Sequence, residues 1–249
     1  MRGVSGRHAW ARRPAPDGRA HAPLARLARS LPSLANPNPA AERSTVVKPF
    51  VVATLLFTLC LGAGPGPKTG SERVVLAGGC FWGMQLVFEN LRGVDRVVAG
   101  YAGGNEDTAH YETVSTGATG HAESVEVTYD PTKISFKELL DVYFLVAHDP
   151  TELNRQGPDE GSQYRSEIFY TTPAQRTEAE AYIAALQQRH VYGSPIVTIV
   201  AALRGFYRAE AYHQDFAVHN PNNPYIAVND LPKLQHLREK FPQLVKQPR

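Results

Sequence analysis

Cysteine is scarce in this chain: its 249 residues include only Cys60 and Cys80. Cys60 lies in an apolar upstream run. The region around Cys80 therefore has neither a disulfide framework nor a cysteine-based structural zinc site. An excess of one charge is also missing. Against 24 Asp and Glu stand 26 Lys and Arg, for a formal net charge of +2, and much of the basic surplus falls early in the chain. The remainder is close to neutral, so no nucleic-acid partner is expected. The apolar segment from Phe50 to Ala63 is too short to span a membrane. There is no internal repeat. No pair among His121, His148, His213 and His219 has a recognisable ligand spacing, so no metal is expected.

The chain divides by composition into three parts. Residues 1–45 are rich in Arg, Ala and Pro, nearly free of acids and without periodicity, as in a disordered basic leader. Residues 46–66 contain Lys48, the apolar block and Gly64-Pro65-Gly66, the pattern of an export signal. Real signals have short basic starts, so translation is expected to begin near Val46 or Val47, with the upstream residues a mis-called extension. The resulting location is exported, in a bacterial periplasm. An organelle transit sequence and a cytoplasmic location are the alternatives, and the prolines and sharp apolar block oppose the transit reading. Residues 72–249 are long enough for one domain with a full core.

In that domain strand-like runs alternate with helical ones. The strands are read at Arg73 to Ala77, Val94 to Tyr101, Ala122 to Tyr129, Ser166 to Tyr170 and Ile196 to Val200. The helices are read at Phe81 to Leu91, Ser135 to Ala147, Pro173 to His190 and Leu231 to Phe241, with Ser135 and Glu138 spaced as a capping box. This order predicts an α/β (α+β) fold: a ferredoxin-like split β-α-β sandwich with an irregular C-terminal segment. Two stretches, Tyr101 to Gly120 and His148 to Gln163, read as long functional loops.

Cys80 sits between Gly78-Gly79 and Phe81-Trp82-Gly83, where a strand breaks and a helix restarts. A residue there meets the unpaired N–H groups and the dipole of the helix start, which favour a thiolate. The glycines permit close approach, and the two aromatics are too bulky for turn filler. Glu123 shares a strand face with Val125 and Val127. Such an acid is either protonated or paired in the interior, or in water at a frayed strand end. Tyr111 and Tyr164 lie in the two loops.

Taken together, Gly79-Cys80-Phe81-Trp82-Gly83, Gly120-His121-Ala122-Glu123, Asn154-Arg155-Gln156-Gly157 with Asp159, Gln163-Tyr164-Arg165-Ser166 and Tyr212-His213-Gln214-Asp215-Phe216 resemble peptide methionine sulfoxide reductase A. The resemblance runs from about Val74 to Phe241. It implies that Cys80 is the nucleophile, Glu123 the acid, and Tyr111 and Tyr164 the hydroxyls on the sulfoxide oxygen. Phe81 and Trp82 would wall the substrate methyl, and Asp159 would give polar support. It also implies a monomer with no bound cofactor, acting on the S epimer of methionine sulfoxide, free or in oxidised proteins and peptides. Many members carry C-terminal recycling cysteines and this chain has none, so an external thiol, a thioredoxin-like protein or a small molecule, is the expected reductant. Two rival readings are a cysteine acyl-transfer enzyme using His213 or His121 as base, and an exported thiol-bearing binding module.

Overall fold

The computed structural model describes residues 70–247. The leader, the apolar segment and Cys60 lie outside the described residues. In chain order the elements are β1 (Glu72–Gly78), α1 (Phe81–Glu89), β2 (Val94–Ala102), α2 (Tyr111–Val114), β3 (Ala122–Tyr129) and α3 (Phe136–Val142). They continue with the hairpin β4 (Arg155–Gln156) and β5 (Asp159–Glu160), β6 (Ser166–Tyr170), α4 (Pro173–Gln188), β7 (Ile199–Ala202), β8 (Phe206–Arg208), α5 (Phe216–His219) and α6 (Leu231–Lys240).

The sheet runs in the order β7-β6-β1-β3-β2-β8. Its centre, β6-β1-β3-β2, is the split β-α-β arrangement, with β3 antiparallel to both β1 and β2 and β6 antiparallel to β1. The two outer strands extend this core. β7 pairs parallel to β6, which needs a long crossover, and α4 supplies it. β8 adds to the far side of β2.

β1 is a continuous apolar run because both of its faces are covered. Val74 and Leu76 join the main core beneath the helices, whereas Val75 and Ala77 join a smaller cluster with Ala102, Ala122 and Phe169, against which Leu203 and Phe206 pack. β3 alternates Val125, Val127 and Tyr129 into the main core. Ser135 caps α3 through the capping box, its side chain accepting from Glu138 N while the Glu138 carboxylate accepts from Ser135 N. Thr172 caps α4, and Pro173 takes the first helical position.

Three differences from the sequence reading have local causes. The helix expected from Ser135 to Ala147 changes to a π-helical turn at Tyr143–Ala147. There the Tyr143 hydroxyl bonds the Ala77 carbonyl (2.6 Å) and Ser166 Oγ (3.0 Å). The last expected strand begins at Ile199, because Val197 N is tied to the Pro150 carbonyl and not to β6. The stretch 101–120 is not all loop: it contains α2, which starts at Tyr111.

Strand register brings one end of β1, β2, β3 and β6 together, since Leu76 faces Val125, Tyr101 faces Glu123, and Gly78 faces Ser166. Both long loops and Cys80 emerge there. The two glycines before Cys80 are required by the second loop. A Cβ on Gly78 would come within 2.9 Å of His148 Cγ, and one on Gly79, whose φ is +92°, within 2.5 Å of Gln156 Cγ.

Tyr143 holds the end of β1, and its hydroxyl is buried. Tyr143→Phe leaves the partner groups short of a hydrogen bond, with an expected loss of about 1–3 kcal/mol. Urea unfolding should show a lower midpoint at unchanged slope.

Candidate active site

Cys80 is the residue preceding the first turn of α1 and is 8% exposed. The helix start leaves backbone N–H groups unpaired. Phe81 N donates to Glu123 Oε2 at 3.1 Å, and the Trp82 N–H acts on the Cys80 thiol. Thiol and acid therefore share one helix terminus.

Glu123 is 2% exposed, so the buried alternative holds for this acid. Burial, opposed by the Phe81 N–H and assisted by Asp159, pushes its carboxyl up to about 8. It is a neutral acid at neutral pH. Burial, then the Glu123 and Asp230 carboxyls, raise the Cys80 thiol well above the ordinary value, and the Trp82 N–H opposes them. The thiolate expected from the helix start is thus overridden at rest: desolvation outweighs a dipole worth about 1 kcal/mol.

The remaining expected residues gather around this pair. Asp159, on β5, accepts a hydrogen bond from the Tyr225 hydroxyl, and burial raises its carboxyl against the pull of Tyr225 and Lys233. Tyr111 opens α2 with its ring 4.5 Å from His213. Burial and then the Glu123 charge raise its phenol, with Cys80 also contributing. Tyr164 ends the 3₁₀ turn Ser162–Tyr164, and its phenol is raised by burial, then by Glu123, Asp159, Cys80 and Tyr111. Both phenols stay protonated donors.

The aromatic wall is larger than the sequence reading and differently arranged. Trp82 Nε1 donates to His213 Nδ1 at 3.1 Å, and the indole stacks on Phe216 at 3.9 Å and 16°. Tyr225 meets the indole edge-on at 6.0 Å. Phe81 is only 1% exposed and backs the wall from inside, against Tyr101 and His213. Sequence reasoning missed Phe216 and Tyr225 as wall members. Phe216 lay within a motif already noted, but Tyr225 belongs to an aperiodic stretch that carries no such signal.

The histidines named for acyl transfer have their basic lone pairs directed at other groups. The lone pair of His213 Nδ1 accepts from Trp82, which leaves the ring proton on Nε2. His121 bonds Gly104 N and the Asn105 carbonyl within the first loop. His148 is buried on Ser166 Oγ and the Tyr143 carbonyl, and burial lowers it to about 4.

Residues 72–245 match the family model described as "Peptide methionine sulfoxide reductase". The protein "Peptide methionine sulfoxide reductase MsrA 2" of Mesorhizobium japonicum is 55% identical over 175 residues, covering 70% of this chain and 90% of that one. The chain belongs to the peptide methionine sulfoxide reductase A family. Solved structures agree. The reduced form of Mxr1 from Saccharomyces cerevisiae is similar with a TM-score of 0.58 and 35% identity, over 61% of this chain and 87% of that one. Methionine sulfoxide reductase A of Corynebacterium diphtheriae gives 0.56 and 36%, over 63% and 78%. The activity is thiol-dependent reduction of methionine sulfoxide, that of a peptide-methionine (S)-S-oxide reductase.

The acid's raised pKa makes stability depend on pH. Folding takes up a proton at Glu123 between about 4.5 and about 8, so this contribution is complete below 4.5 and is lost as pH rises towards 8. Glu123→Gln should remove that slope in denaturant titrations. Asp159→Asn should move the Glu123 titration, followed by carboxyl carbon NMR, to lower pH.

Proposed function

We propose that Cys80 attacks the sulfoxide sulfur while neutral Glu123 protonates the sulfoxide oxygen. The observation that carries this is the buried Glu123 carboxyl, pushed up to about 8 by desolvation and bonded to Phe81 N at the helix start beside Cys80. A sulfoxide has an electrophilic sulfur and a basic oxygen, and reduction needs a nucleophile on one and a proton on the other. An ionised glutamate would oppose thiolate formation; a neutral one supplies the proton. The thiol proton passes to the glutamate as the first is used. The net step turns Cys80 thiol and methionine sulfoxide into Cys80 sulfenic acid and methionine, with two electrons moving from cysteine sulfur to methionine sulfur.

Tyr111 and Tyr164 serve as donors to the oxygen as charge builds on it, since raised phenols hold their protons. Trp82 with Phe216 and Tyr225 receives the methyl group, Phe81 fixes the wall from behind, and Asp159 orders Tyr225. The S preference follows from the fixed placement of oxygen donors on one side and the methyl wall on the other.

Cys80 is the sole cysteine among the described residues. Recycling therefore uses an external thiol, a thioredoxin-like protein or a small thiol, which attacks Cys80 sulfur and releases the oxygen as water; a second thiol then frees Cys80. Substrates are oxidised proteins, peptides and free methionine sulfoxide, and the enzyme acts as a monomer. The apolar segment 50–63 favours export to a periplasm.

Cys80→Ser should abolish methionine formation. Glu123→Gln should slow single-turnover reduction by roughly 100- to 10,000-fold, and the wild-type rate should fall as pH rises through about 8. An unchanged rate in that variant would remove Glu123 from the role of acid. Thiol counting after stoichiometric sulfoxide should show one thiol lost per methionine, trappable by a sulfenic-acid reagent; an intramolecular disulfide would contradict the scheme.

A further inference from the structure

Glu210 stands between the two sides of the site. β8 ends at Arg208, and Ala209 N donates to the Ala99 carbonyl at 2.9 Å, which fixes the chain beside β2. Glu210 then precedes the 3₁₀ turn Ala211–His213, but its side chain makes no bond to that turn. It points instead to two other elements. Glu210 Oε1 accepts from Tyr111 N at 3.0 Å, and Oε2 accepts from the Tyr101 hydroxyl at 2.8 Å. Burial pushes the carboxyl upward, yet the N–H groups of Tyr111 and of Glu210 itself, the Tyr101 hydroxyl and His213 outweigh it and lower its pKa from the ordinary glutamate value. Glu210 is ionised, with both oxygens used, and such charge-assisted bonds are the strong kind.

α2 needs this support. It has four residues, too few to hold a helix alone, and His110 before it gives no side-chain cap. The carboxylate of Glu210 is the group that satisfies the first N–H of α2, and so fixes the backbone from which the Tyr111 phenol extends. Its other oxygen grips Tyr101, which is fully buried, faces Glu123 across the β2–β3 register and lies 5.8 Å from Phe81. The main chain of Glu210 meanwhile carries His213: His213 N donates to the Glu210 carbonyl at 3.0 Å, and His213 Nδ1 receives the Trp82 indole. One residue thus ties the oxygen donor Tyr111 to the support of the methyl wall.

We propose that Glu210 is a positioning residue that sets the spacing between the Tyr111 hydroxyl and the Trp82 wall, and thereby the preference for one sulfoxide epimer. The inference rests on the roles given above to Tyr111 and Trp82. The two epimers differ by exchange of substituents about sulfur. With Cys80 attack fixed, the disfavoured epimer puts its methyl against the phenol and its oxygen against the indole. That mismatch is costly only while the phenol and the indole are held at a set distance, because an unpaired donor or acceptor loses its hydrogen bond.

The test measures kcat/KM for the separate S and R epimers of methionine sulfoxide, with dithiothreitol, for wild type, Glu210→Ala, Glu210→Gln, Tyr111→Phe and each Glu210 variant combined with Tyr111→Phe. Glu210→Ala should lose about 10-fold or more on the S epimer and little on the R epimer, and in the Tyr111→Phe background the same change should cost less than about 3-fold. Glu210→Gln, whose carbonyl still accepts from Tyr111 N and whose amide donates to the Tyr101 oxygen, should recover most of the loss and keeps the test usable if the alanine variant does not fold. Equal losses on both epimers, or a loss as large without the Tyr111 hydroxyl as with it, would overturn the positioning role while leaving that of Tyr111 intact. A Tyr111→Phe enzyme as active as wild type would instead remove Tyr111 from oxygen binding, and this inference with it.

Discussion

The hydrogen bond from Phe81 N to the Glu123 carboxyl is the constraint around which the site is organised. An acid that is 2% exposed is expensive to ionise, and the single N–H it receives from the helix start offsets only part of that cost. The result is a proton held at neutral pH beside a sulfur atom. Strand register makes this possible: β3 must begin at the sheet end where β1 stops, or Glu123 would never meet the first turn of α1. A one-residue slip of β3 would turn Glu123 to the opposite face and replace it with a small residue, Ala122 or Ser124.

Acidic groups are crowded near Cys80. Glu123, Asp230 and Asp159 all oppose its ionisation, and each carboxyl is itself raised by burial. Asp230 is fully buried beside Gly83, where a Cβ would meet its Oδ1 at 2.1 Å, and Lys233 is its ion-pair partner. Gly83 is therefore required by close approach of a side chain, as Gly78 and Gly79 are. The glycines around the cysteine make room for residues from the second loop and the C-terminal segment.

The central fold was legible because its signals are local. The apolar run of β1, the alternation of β3 and the capping box before α3 each appear within a few residues, and their order gives the split β-α-β core. The ordered motifs contain Cys80, Glu123, Asp159 and Tyr164, which the fold brings near one another, whereas Tyr111 lies outside them in the first long loop and joins the group through α2. What stayed hidden depends on distant contacts. β8 is three residues long and exists because it pairs with β2. Tyr225, Glu210 and Asp230 gain their meaning from partners 66, 109 and 99, or 3 positions away, the last pair local in sequence but set against a remote helix. No periodicity marks such residues. The helix start is by itself too weak to make Cys80 a thiolate, and the burial that raises Cys80 and Glu123 comes from contacts spread along the chain.

The same burial has a consequence for survival of the enzyme. Peroxides attack thiolates, whereas a protonated thiol reacts slowly with them. Desolvation and the neighbouring carboxyls favour the thiol form of Cys80, the form that reacts slowly with peroxides. In the mechanism proposed above, its reactivity is reserved for a sulfoxide that enters the pocket and accepts a proton there. Under that mechanism the nucleophile is not an early casualty of the oxidants that form methionine sulfoxide.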